Sequence, residues 1–146
     1  MLATLPPPTR TLQASAAAYR QVGVTSGVGS ATPHRLVLML LDGFDEVLVQ
    51  AAGALQAGNV PRKCQALERA LRIVDEGLTA SLNLADGGAL ATRLRELYGY
   101  VSLRLLHANL HNDADAIAEC RQLLHPVREA WAAIAPQAAA AGGAAR

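Results

Sequence analysis

Apolar residues return every three or four positions through four stretches of this 146-residue chain. That spacing is the period of an amphipathic helix. In the first stretch Val37, Leu40, Phe44, Val47, Leu48, Ala51 and Leu55 share a face, while Leu38 and Val49 point the other way. Thr32 suits the N-cap and Pro33 the first helical position, and Gly58-Asn59 ends the helix. The second helix starts near Pro61. Cys64, Leu67, Leu71, Val74, Leu78 and Leu82 form its core stripe, and Ile73 falls on the opposite, charged face between Arg69 and Glu76. Asp86-Gly87-Gly88 breaks the pattern and caps a third helix, which runs from Leu90 to about Leu110. Asn112-Asp113 supplies a turn and a new N-cap. In the fourth helix Ile117, Cys120, Leu124, Val127, Trp131 and Ile134 line up. Pro126 lies inside that pattern. A proline there costs ~3 kcal/mol, which predicts a kink or break near residues 122–126.

The third helix differs from the others in being apolar on two sides. Leu90, Leu94, Leu97, Val101, Leu105 and Ala108 make one stripe, and Gly99, Leu103, Leu106 and Leu110 make a second, roughly opposite. One stripe can seal a bundle core. The other needs a cover: another part of the chain, a second subunit or a foreign peptide.

Four long helices joined by connections of a few residues predict an all-α, antiparallel up-and-down four-helix bundle. The bundle is expected over residues 31–135. Residues 1–30 read as a flexible N-terminal arm: Pro- and Thr-rich at first, then Tyr19, Val22, Val24 and Val28 among Gly23, Gly27 and Gly29. Residues 136–146 are Ala- and Gly-rich and read as a disordered tail.

Composition narrows the picture further. The chain is 51% hydrophobic but only 3% aromatic, so leucine, valine and alanine must build the core. A net charge of +1 is far from the basic footprint of a nucleic-acid binder. Cys64 and Cys120 lie on apolar faces and read as small core residues, not a disulfide framework. Pro6-Pro7-Pro8 stands where a secretory signal would carry its apolar region. The longest strongly apolar run, Leu36 to Leu41, is too short to span a bilayer. A soluble cytoplasmic protein without membrane insertion is the expectation.

Catalytic and metal constellations do not assemble. A ferritin-like centre needs Glu-x-x-His pairs, and the chain has none. His107 and His111 are four apart but lack the Glu of an H-E-x-x-H site, so they read as a polar flank. The Gly23–Ser30 stretch lacks the lysine that a phosphate loop needs after its last glycine. No nucleophile elbow is present. The expectation is a protein that is not an enzyme and holds no metal or cofactor.

Four motifs carry a family likeness: AYRQVGV at 18–24 with SATPHRLVLMLLDG at 30–43; RLRELYGY at 93–100; RLLHANLHND at 104–113; and REAW at 128–131. In this order they resemble the flagellin-specific export chaperones, the FliS family, over about residues 17–135. The departures are Leu41, where many relatives carry an aromatic, and Pro126. The resemblance implies a cytoplasmic chaperone of flagellar assembly. It would bind the disordered C-terminal segment of flagellin, prevent premature polymerisation and deliver the subunit to a component of the type III export gate. It also implies an anti-sigma factor as a partner in some bacteria. Tyr19, Ile73, Tyr100, Leu103, Leu106, Asn109 and Leu110 are then the candidate flagellin-binding groove. The arm carrying Tyr19 would either mask that groove or contact flagellin. Two other readings compete. A histidine phosphotransfer bundle needs an exposed mid-helix histidine near a lysine, and the sole lysine is Lys63. A structural helical oligomer would use the second stripe as its subunit interface.

Overall fold

The computed structural model describes residues 32–134. Four helical units form an all-α bundle, with no strand among the described residues. They are α1 (Pro33–Gln56), α2 (Val60–Arg72, continued by a π-helical segment Ile73–Thr79), α3 (Leu84–His111) and α4 (Ala114–Ala133). Helix α1 packs on α2 and α4, and α3 packs on the same two helices. The diagonal pairs make no close backbone approach, so α1 and α3 occupy opposite corners.

The helix ends follow local chemistry. Thr32, Asn59, Asn83 and Asp113 each accept a backbone N–H of the first turn through the side chain, satisfying donors that a helix start leaves without partners. Gly88 has φ 58° and ψ −137°, which breaks α3 near its beginning. Asn112 closes α3 in the left-handed region at φ 53°, where asparagine is among the better tolerated residues.

The core is aliphatic, as the scarcity of aromatics requires. Phe44, Leu48, Leu67, Val74, Leu78, Val101, Leu105, Ile117 and Cys120 are almost fully buried. Ala51, Ala70, Ala108 and Ala116 are also sealed, and small residues at contacts let helices approach closely. Burial pushes the Cys120 thiol up to about 12, which leaves it a packing residue rather than a nucleophile.

Several expectations need correction. Ile73 is buried, not outward: it sits beside Gly43 of α1, where a Cβ would meet its Cδ1 at 3.9 Å. Ile73 keeps the ordinary helical phase of the buried Ala66 and Ala70, and Val74 that of Leu67 and Ala70, so both face inward; the helix continues in π-helical turns from Ile73 onward. The close approach continues at Gly77, where a Cβ would lie 2.9 Å from Leu40 Cδ2. Leu90 is exposed rather than core, because residues 83–90 are all exposed and the buried face of α3 begins at Ala91. Ile134 lies beyond the end of α4 in extended backbone and is exposed. Pro126 does not break α4, which runs through it. Pro126 and Gln122 are both exposed, so water can take the carbonyl that loses its helical partner. Cys64 is only half-buried, and its neighbour Lys63 takes the inward position.

Candidate partner-binding site

The outward face of α3 carries three leucines in the open: Leu103 is 66% exposed, Leu106 51% and Leu110 79%. Val101, Leu105 and Ala108, on the other side of the same helix, are closed into the core. The two-sided pattern of α3 therefore exists in three dimensions, and among the described residues its second stripe is an uncovered apolar ridge.

Polar contacts run along both flanks of that ridge. Toward α2, Ser102 Oγ donates to Asp75 Oδ1 at 2.7 Å. Two turns further on, Lys63 Nζ donates to the carbonyl of Asn109 at 2.8 Å and to its Oδ1 at 2.9 Å. Toward α4, Tyr100 Oη donates to Glu119 Oε2 at 2.6 Å, and Arg104 Nε pairs with Glu119 Oε1 at 2.7 Å. His107 Nε2 lies 3.1 Å from Asp113 Oδ2, and its ring packs on His111. Hydrogen bonds from Tyr100 and then Arg104 hold the Glu119 carboxyl below its ordinary range. The same bond raises Tyr100. Asp113 is lowered mainly by the backbone N–H of Ala116, which it caps. These contacts tie α3 to α2 and α4 while leaving the leucines between them exposed among the described residues.

The candidate residues thus divide. Leu103, Leu106 and Leu110 form one continuous surface. Tyr100 stands beside them, 44% exposed, with its hydroxyl fixed on Glu119. Asn109 turns toward α2 and is occupied by Lys63. Ile73 is in the core. Tyr19, together with the proposed arm at 1–30 and tail at 136–146, lies outside the described residues.

Two features escaped the sequence reading. Lys63 is 1% exposed and bonds a carbonyl of the last turn of α3, which lacks a helical acceptor role there. Its phase with the buried Ala66, Leu67, Ala70 and Val74 was the available signal. His34 is buried at the start of α1 and stacks on Trp131 near the end of α4, with ring centroids 5.3 Å apart. Trp131 Nε1 donates to the His34 carbonyl and His34 Nε2 donates to the Trp131 carbonyl, both at 2.8 Å.

Other surfaces are less suited to an apolar partner. A shallow groove between α1 and α4 is edged by the ion pairs Asp42–Arg128 and Asp45–Arg121. Among the described residues no group of three His, Cys, Asp or Glu could hold a metal ion, and no helix is long and apolar enough to cross a membrane. Lys63 is committed to Asn109, which is not the arrangement that phosphotransfer at an exposed histidine needs.

Comparison with known proteins adds an independent line. Residues 15–138 match the family described as "Flagellar protein FliS". The "Flagellar secretion chaperone FliS" of Salmonella typhimurium is 50% identical over 121 residues, covering 83% of this chain and 90% of that protein. The protein of the same description in Vibrio cholerae is 34% identical over 126 residues, covering 86% and 92%. That of Escherichia coli is 40% identical over 114 residues, covering 78% and 84%.

Proposed function

This chain belongs to the FliS family of flagellar secretion chaperones, a family of chaperones rather than enzymes, and from that premise we propose that it holds the C-terminal segment of flagellin in the cytoplasm. In this role it keeps the subunit from polymerising early and hands it to a component of the flagellar type III export gate. A regulatory contact with an anti-sigma factor belongs to the same reading.

The observation that carries the proposal is the uncovered ridge of α3. An apolar helix face that the described residues leave exposed suits an amphipathic segment that folds on docking. Leu103, Leu106 and Leu110 are 66%, 51% and 79% exposed, and covering them contributes roughly 3–6 kcal/mol at usual transfer values. Ordering a disordered segment costs about 2–5 kcal/mol or more. The two nearly cancel, so tight binding requires the segment to continue past the ridge onto further surface. The same three side chains expose only on the order of 100–250 Å². A stable interface between two copies needs about 800 Å² per partner, so the ridge alone does not favour a self-complementary dimer.

Calorimetry with full-length flagellin and with flagellin lacking its C-terminal segment tests the reading. Saturable binding to the first and none to the second is the expected result. Equal binding to both, or to neither, contradicts it.

A further inference from the structure

We propose that Gly99 is the point of closest approach of the docked helix, a notch in the ridge of α3 that admits partner backbone. The inference rests on the flagellin reading above and adds the residue that sets the crossing.

Gly99 is exposed in the interior of α3. Glycine there destabilises a helix relative to alanine, so its presence calls for a compensating use. Two common uses are absent. Its φ is not positive, since the positive-φ glycines among the described residues are Gly58 and Gly88. Nor do the described residues press against it: among them, a Cβ built on Gly99 meets nothing within 4 Å.

The position gives that open space a meaning. Residues three and four apart are neighbours on a helix surface, so 99, 103, 106 and 110 form one line. Gly99 continues the leucine ridge by one turn with no side chain. Tyr100, anchored through Glu119, stands beside the gap, and Leu103 closes it on the next turn. A helix crossing there can bring its axis nearer to α3 than the leucines permit elsewhere, because interaxial distance follows side-chain size at the contact. Gly53 shows that an exposed helical glycine is not by itself a site: it too has nothing within 4 Å, but it lies on α1, away from the ridge.

Gly53 therefore serves as the internal control. Full-length flagellin is titrated into the parent chain, Gly99→Ala, Gly99→Leu and Gly53→Ala, and each variant is melted alone. Both alanine variants are expected to melt roughly 3–6 °C higher. Flagellin affinity should fall at least threefold in Gly99→Ala and at least tenfold in Gly99→Leu, with Gly53→Ala unchanged. A merely structural glycine would not move stability and affinity in opposite directions. Gly99→Leu binding as tightly as the parent overturns the notch and leaves the flagellin reading intact. Failure of the parent itself to bind flagellin removes that reading and the notch with it.

Discussion

Lys63 is the chain's sole lysine, and its amine nitrogen is buried on two oxygens of Asn109. Lys63→Met keeps most of the packing but leaves the Asn109 carbonyl without its donor. An unsatisfied buried group costs about 1–3 kcal/mol, so urea titration should show a loss of that size; an unchanged midpoint would mean that water replaces the amine. The His34–Trp131 clasp joins the first turn of α1 to the last turn of α4. Because Trp131 is only half-buried, Trp131→Ala should cost about 3 kcal/mol, the lower end for large aromatics. A loss under ~1 kcal/mol would show that this end of α4 is not held by the clasp. Glu119 and Asp113 have folded-state pKa values below the ordinary carboxylate range. Their contribution is complete above that range, at about pH 4, and is lost as pH falls through the lowered folded values. Glu119→Gln should therefore flatten the acid side of the stability curve below about pH 4 and matter little for its shape at neutral pH. Both groups are half-buried and within reach of water, so screening keeps the effect small. Thermal melts between pH 2 and 7 would expose a wrong sign.

At the level of elements, α4 provides the sharpest test of local rules against packing. It stays helical through Pro126 because the affected face is exposed while Ile117, Cys120 and Leu124 are buried on the other. Pro126→Ala restores a backbone donor and should raise stability by about 1–2 kcal/mol. This is less than the full ~3 kcal/mol of an interior proline, since the proline also limits the unfolded chain. A destabilised variant would mean that the proline bend is part of the packing. The four helices were legible from apolar period, and Thr32, Asn112 and Asp113 from local cap chemistry; the start of α3 was not, since its N-cap is Asn83 and not the Asp86–Gly88 stretch. The core phase of α2 was not. The residues sealed there are Lys63, Ala66, Leu67 and Ala70, and alanine carries little weight in an apolar pattern although it marks the closest contacts. Ile73 was misplaced for the same reason: a stripe drawn through Cys64, Leu71 and Leu82 is rotated away from the sealed face, which runs through Lys63, Ala66 and Ala70 and brings Ile73 inward. The exposed ridge of the candidate site was legible because it depends on period, at Leu103, Leu106 and Leu110. It was not legible where it depended on contacts between helices, as in the pairing of Asn109 with Lys63.

At the scale of the molecule, the described residues form a helical bundle in which α3 is apolar on both sides. Its polar cross-links, Ser102–Asp75 and Lys63–Asn109 on one flank and Tyr100–Glu119–Arg104 on the other, hold α3 in place without covering its leucines. An exposed apolar surface of this kind marks an interaction site or an aggregation liability, and FliS membership favours the first. The central claim is that the ridge serves a partner and not the fold. The variant carrying both Leu103→Asp and Leu106→Asp separates the two. Its binding to full-length flagellin, measured by calorimetry beside its helicity and melting temperature, should fall at least a hundredfold while the bundle melts within a few degrees of the parent. Unchanged binding by a folded variant, or loss of the fold itself, would contradict the account.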